Sequence, residues 1–284
     1  MVSEPKRQHT VPVSYLQNWS NSKNQSRKKS KICVHDVNDG RSFITSVNKY
    51  PTEKYFYDIP ELGEGKQLLE KFFSIMEGQY AALLLKVLQC VESWLSMQSK
   101  KRPIISLEDK NELAAMFAMQ IVRTQDYRIF YQYVYAKLKE GFPWANLPTY
   151  TSSDFQRLHT TEIMSFRQAN FYTNLLSDRN WMILINHSDI SFFTSDNPGI
   201  FINHSTNLSE PISPATPEVT FYMPLSPKVA VELYHKSILK IPEICIPIDY
   251  SGIIRGYNRN LCRECTRFMF SNKNDFSCLI GSGK

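Results

Sequence analysis

Glycine is scarce in this chain. Ten glycines in 284 residues form no phosphate-cradling loop, and folds that hold a dinucleotide on a glycine-rich turn are poorly supported. A Gly-x-Ser-x-Gly nucleophile elbow, a His-Glu-x-x-His zinc motif and a paired cysteine knuckle are also missing. Apolar runs are short. None reaches the eighteen or so residues that a membrane-spanning helix requires. The opening MVSEPKRQHT lacks the apolar segment of a secretory signal, so the expected location is cytoplasmic, with no membrane contact. Cysteine is sparse too. Cys33, Cys90, Cys245, Cys262, Cys265 and Cys278 are scattered through apolar segments of a chain far larger than disulfide-dependent domains, and they read as reduced. Cys262 and Cys265 have metal-like spacing without a second matching pair, which favours core cysteines over a zinc site.

With 42% hydrophobic and 21% charged residues, the chain can bury a sizeable core. The formal net charge of +6 permits an anionic partner without requiring one. Basic residues are densest at Lys23, Arg27, Lys28, Lys29 and Lys31, within a Ser/Asn-rich stretch that reads either as a solvated loop or as a contact to a phosphate backbone.

The pattern of apolar residues changes along the chain. KICVHD and RSFITS flank Val-Asn-Asp-Gly, the turn chemistry of a β-hairpin, with Gly40 where positive φ is needed. From about residue 65, apolar residues recur every three or four positions, predicting a long first helix. Ser106-Leu-Glu-Asp109 resembles a capping box that opens a second helix, and a third covers residues 126–140. After a proline-containing loop, a fourth helix is predicted from Asp154 to Leu176. Beyond it the period becomes two. WMILIN, SFFTS, GIFIN, VTFYMP and VAVELY are short strand candidates, followed by a surface excursion class of turn at 204–218 between the third and fourth of them, and by a closing helix over 249–265 and a strand RFMFS. The expected fold is one α+β unit over residues 1–284: an N-terminal segment and hairpin (1–60), a helical layer (65–176), and an antiparallel sheet with a closing helix (180–284).

Several polar residues stand where a core would favour none. Asp196 leaves an apolar strand in FFTSDNPGIF, and serves equally as a turn former or as a rigidly held metal ligand or general base. Gln120 and Arg123 lie three residues apart on an apolar helix face. A buried arginine needs a carboxylate or a phosphate. Glu70 or Glu77 offers the first, and a substrate the second. His9 precedes Tyr15, Leu16 and Trp19, which should pack against the body and hold its ring in place.

These motifs carry a family resemblance. HTVPVSYLQNW, the hairpin followed by YFYD, LLEKFFSIMEGQ, FAMQIVRTQDYR, NWMILIN with FFTSDNP, FYMPLSP and YNRNLCRECTRFMFS occur in the order seen in the bacterial domain-of-unknown-function family 4238. The chain resembles that family over nearly its whole length. The recurring polar positions match His9, Glu77, Gln120, Arg123, Asp196, Asn197 and Asn258, and the chain departs from the pattern at Gln125, where proline is usual. One shared cluster is a simpler reading of these residues than separate buried groups.

The function expected on this basis is phosphodiester hydrolysis in RNA or DNA, as a nuclease of the toxin or anti-phage defence kind. Asp196 and Glu77 (or Glu70) would bind Mg²⁺ or Mn²⁺ or orient the attacking group, His9 would act as general acid or base, and Arg123 with Gln120 would stabilise phosphorane charge, with Asn197 and Asn258 in the same cluster. A metal-free version keeps His9 and Arg123 alone. The alternatives are a hydrolase acting on a small nucleotide or sugar, and a non-enzymatic binding or regulatory partner of a defence or toxin system, in which the polar cluster would be a structural network.

Overall fold

The structure is a computed structural model that describes residues 7–21, 29–59, 68–96, 104–205 and 213–279. The chain begins with β1 (Arg7–His9) and a single helical turn, α1 (Val13–Leu16), then forms β2 (Lys31–Asp36), β3 (Ser42–Ser46) and β4 (Thr52–Lys54). Four helical segments were expected next and five are present: α2 (Leu68–Ser96), α3 (Leu107–Val122), α4 (Gln125–Gly141), α5 (Ser152–Ser165) and α6 (Arg167–Ser177). The remainder is β5 (Asn180–Asn186), β6 (Thr194–Ser195), β7 (Ile200–Asn203), β8 (Val219–Pro224), β9 (Val229–Tyr234), β10 (Glu243–Ile248), α7 (Ser251–Glu264) and β11 (Phe268–Ser271). The class is α+β. None of the described helices is long and apolar enough to cross a membrane.

Local signals set several boundaries as expected. Gly40 closes the β2–β3 hairpin at φ 72°, and Ser106 caps α3 by accepting the Asp109 N–H. The reciprocal half of that box is diverted, because the Asp109 carboxylate accepts a hydrogen bond from Lys86 of α2 at 2.7 Å. The predicted helix over 154–176 is two helices. Phe166 adopts the left-handed conformation, φ 56° and ψ 4°, which ends α5 and starts α6. No glycine marks that break. Phe166 instead packs edge-on against Phe72 of α2 at 5.4 Å, a tertiary contact that sequence periodicity does not report.

The single antiparallel sheet is also corrected. Three sheets are present: β1 with β4, the antiparallel order β3-β2-β11-β6, and the mixed order β10-β5-β9-β8-β7. The expected strand in SFFTS shrinks to Thr194–Ser195, and the unexpected β10 pairs parallel to β5. Its sequence EICIPI hides the strand behind Pro247, which is tolerated because β10 is an edge. The mixed sheet lies between two cores. Trp181, Ile183, Ile185, Phe221, Met223, Val231 and Leu233 join the core beneath α2 and α3, whereas Leu184, Tyr222 and Ala230 join Ile254 and Leu261 of α7. Burial on both faces explains why β5, β8 and β9 read as nearly continuous apolar runs.

Tyr15, Leu16 and Trp19 are fully buried, as the helical spacing after His9 predicts. The Tyr15 hydroxyl donates to the Pro224 carbonyl at 2.7 Å and the Trp19 indole N–H donates to the Phe192 carbonyl at 2.8 Å. Those bonds fix the N-terminal segment against β8 of the mixed sheet and the segment that leads into β6.

Candidate functional site

Four of the candidate residues meet at the junction of β1, α2 and α3. Arg123 caps the C-terminus of α3, and its Nη2 donates to Glu77 Oε1 at 3.1 Å and to the His9 carbonyl at 2.7 Å. The guanidinium lies 4.1 Å from the Phe73 ring centre, and the Tyr57 hydroxyl donates to the Arg123 carbonyl at 2.7 Å. Gln120 Nε2 donates to the Thr10 carbonyl at 3.0 Å. One helix end therefore holds the N-terminal strand by two of its main-chain carbonyls. Gln8 strengthens the junction: it donates to Asp58 and accepts the Tyr57 N–H.

This arrangement answers the buried-arginine question in favour of the internal ion pair, with Glu77 as the partner. Glu70 is close enough that Arg123 draws its pKa down, but burial dominates and raises it. The cavity lined by Glu77, Gln120 and Arg123 measures about 20 Å³, room for roughly one water. His9 contributes its backbone. Its Nδ1 is buried without a hydrogen-bond partner, and burial, then the Arg123 charge, lowers its pKa to about 4. A neutral imidazole follows at pH 7.

Asp196 lies in a different place. Its Oδ1 accepts the Thr266 N–H at 2.9 Å, and its Oδ2 accepts those of Arg267 at 2.8 Å and Phe268 at 2.9 Å. The Asp196 N–H donates back to the Phe268 carbonyl at 3.0 Å. Beside it Met269 pairs with Ser195 and Phe270 with Thr194, so the carboxylate extends the short β6–β11 ladder. Asn197 Nδ2 donates to the Glu264 carbonyl at 3.0 Å, at the end of α7. Asn258 is internal to the α7 packing, where its side chain accepts the Phe193 N–H and donates to the Ser191 carbonyl, both at 2.9 Å.

The shared cluster is thus divided. Asp196 and Glu77 line separate cavities, and among the described residues no three His, Cys, Asp or Glu side chains group as metal ligands. A joint Asp196–Glu77 metal site is not assembled because each carboxylate is drawn to a nearer donor set: backbone amides for Asp196 and Arg123 for Glu77. All six cysteines are free thiols, and Cys262 and Cys265 are both buried.

Asp196 borders a cleft of about 620 Å³ between the β1–β4 pair and the β3-β2-β11 side of the antiparallel sheet. Arg7, Arg41 and Arg267 line it, together with Phe43, Tyr50 and Phe268. The aromatic rings form a row, with centres 5.6 Å apart from Phe43 to Tyr50 and 5.1 Å from Tyr50 to Phe268. Arg267 lies 4.9 Å from the Phe268 ring centre and pairs with Asp36 at 2.7 Å, while its side chain stays 49% exposed. Arg41 pairs with Asp39, and Arg7 pairs with no carboxylate among the described residues. Glu53 also lines the cleft, and burial raises its pKa, opposed by Arg128. Of the basic stretch, Lys23, Arg27 and Lys28 lie outside the described residues, whereas Lys29 and Lys31 are exposed. Gln125, at the family-variant position, lines the same cleft.

Sequence reasoning missed a second polar network. Glu232, 1% exposed in the middle of β9, accepts from Tyr257 and Thr220, both at 2.6 Å, and meets His204 Nε2 at 3.2 Å. Burial alone would raise its pKa, but His204, Thr220, Tyr257 and Tyr234 together lower it. The signal was present as a lone glutamate inside VAVELY. Arg128 and His159 were missed as well: Arg128 Nε donates to His159 Nδ1 at 3.2 Å, beside Phe56.

Fold and cleft together define an α+β protein with a groove along one sheet lined by three arginines, three carboxylates and a row of aromatic rings. The chain matches the family model described as Protein of unknown function (DUF4238) over residues 7–275, and it belongs to that family. No curated protein and no solved structure matches it.

Proposed function

We propose that this protein binds single-stranded nucleic acid in the cleft beside the antiparallel sheet. The observation that carries the reading is the row Phe43–Tyr50–Phe268 with Arg267 over its end and Arg7 and Arg41 at its margins. Bases stack on aromatic faces whatever their identity, while guanidinium groups take phosphates, and a groove combining the two suits a flexible strand better than a rigid duplex. The net charge of +6 and the exposed Lys29 and Lys31 add long-range attraction.

Hydrolysis of the bound strand is the less supported half of the expectation. Asp196, Glu77 and Arg123 already have protein partners, and the space between Gln120 and Arg123 is too small for a phosphodiester. In this reading the polar cluster is the structural network of a binding module that serves as the nucleic-acid-binding partner of a defence or toxin system.

Fluorescence anisotropy with labelled single-stranded RNA and DNA tests this over a range of salt concentrations. Arg7→Ala with Arg41→Ala should lower the slope of log affinity against log salt by about two, and Tyr50→Ala should cost about 1–3 kcal/mol of binding. Unaltered affinity in both variants refutes the cleft as the site. Incubation with Mg²⁺ or Mn²⁺ followed by denaturing electrophoresis tests cleavage in the same samples.

A further inference from the structure

A second cavity, of about 540 Å³, lies beside that cleft across the segments 124–126 and 196–197, where α4, α6, β7 and the end of α7 meet. Tyr127, Phe130, Tyr172 and Phe201 supply an aromatic wall from three elements, with centres 6.3 Å apart for Tyr127–Phe130 and Tyr127–Tyr172 and 5.8 Å for Tyr172–Phe201. The polar groups opposite are two carboxylates and an amide, with the hydroxyl residues Thr124 and Ser213. Asp126 and Glu264 line the cavity, and Glu264 makes no ion pair among the described residues. Asn197, only 7% exposed, also lines it: its Nδ2 is committed to the Glu264 carbonyl, and its Oδ1 has no hydrogen-bond partner among the described residues.

Two helix ends meet at this corner, the N-terminus of α4 at Thr124 and Asp126 and the C-terminus of α7 at Glu264. Glu264 is the last residue of α7, where unpaired helix carbonyls already concentrate negative charge and where a cation is the favoured neighbour. Burial, then Asp126, raises the Glu264 pKa, and Arg263 offsets this only in part. Arg179 stands behind the wall, donating to the Pro214, Val219 and Leu233 carbonyls rather than lining the cavity. An aromatic enclosure facing two carboxylates, an amide oxygen and the C-terminus of α7 suits an N–H donor, with Asp126 offsetting the positive end of its own helix α4.

We infer that this cavity is a binding site for a small organic cation, an ammonium group carried on an alkyl or aryl body. The ammonium would donate to Glu264, Asp126 and Asn197 Oδ1, and its apolar body would lie against Tyr172, Phe201 and Phe130. This site shares no lining residue with the nucleic-acid cleft, although Asp126 and Asn197 are the chain neighbours of Gln125 and Asp196, which line that cleft.

Isothermal titration of the full chain with phenethylamine and with spermidine tests the inference, and the neutral 2-phenylethanol serves as control. Saturable binding of at least one amine is expected, with 2-phenylethanol bound at least about tenfold more weakly. Glu264→Gln should weaken the amine about tenfold or more, while leaving the melting temperature of the unliganded protein equal or higher, because a like-charge contact is relieved. Phe130→Ala, at a half-exposed position, should weaken binding without unfolding the chain. Failure of both amines to bind overturns the proposal. So does equal binding of 2-phenylethanol, or amine affinity unchanged in Glu264→Gln and Phe130→Ala.

Discussion

Replacing Asp196 by asparagine separates a structural carboxylate from a catalytic one. A turn former that needs only a side-chain oxygen would tolerate the change. The structure sets a stricter demand. Oδ2 serves the Arg267 and Phe268 amides and Oδ1 serves the Thr266 amide, so all three contacts require acceptors on both oxygens. Asparagine can keep one oxygen in place, preferably at the Oδ2 position. Its NH₂ group then faces the Thr266 N–H, donor against donor. The loss comprises one charge-assisted bond and one stranded amide, plus the weakening of two further bonds from charged to neutral. Leaving a donor unsatisfied costs about 1–3 kcal/mol and each weakened bond about 1 kcal/mol, giving an expected loss of about 3 kcal/mol after partial relaxation. For a chain of this size that corresponds to a fall in melting temperature of roughly 6–10 °C. Asp196→Ala strands three amides and should cost more. Urea unfolding followed by circular dichroism measures both, and an unchanged slope would confirm that the native fold is the one being destabilised. An asparagine variant melting within about 1 °C of the parent would refute the reasoning.

The other predictions concern different parts of the fold. Arg123→Ala leaves Glu77 unpaired and frees the His9 carbonyl, so urea unfolding should register a loss of about 3–5 kcal/mol. Double substitution with Glu77→Gln should recover part of it, and simple additivity would argue against the pair. Acid sensitivity should come from two histidines held neutral: burial, then a neighbouring arginine, lowers His9 to about 4 and His159 to about 3. The unfolded chain protonates first, so their contribution is full above about pH 6.5 and is lost as pH falls toward 4 and then 3, with up to about 3 kcal/mol from His9. Unfolding midpoints measured from pH 7 to pH 4 should fall less steeply in His159→Phe. Gly199→Ala puts a methyl group 2.8 Å from the fully buried Phe221 ring, and calorimetry should show a loss of about 1–3 kcal/mol.

What could be read from sequence was what neighbouring residues decide together. Helix periodicity in 68–96, the Ser106 cap and the Asn-Asp-Gly turn depend on contacts within a few positions, and each stands where its pattern put it. The burial of Tyr15 and Trp19 was legible for the same reason. Tertiary structure alone decided the rest. Phe166 breaks a continuous helical pattern against Phe72, 94 positions away by residue number, and β10 becomes a strand because β5 offers a free edge despite Pro247. The candidate site shows the limit most plainly. Sequence could mark His9, Glu77, Gln120, Arg123 and Asp196 as costly to bury, since an unpaired polar group in a core is unfavourable wherever it lies. Which partner satisfies each is a matter of distance in space. Arg123 found Glu77 and two carbonyls of the N-terminal strand, while Asp196 found amides about 70 residues later, and that choice separated one expected cluster into two.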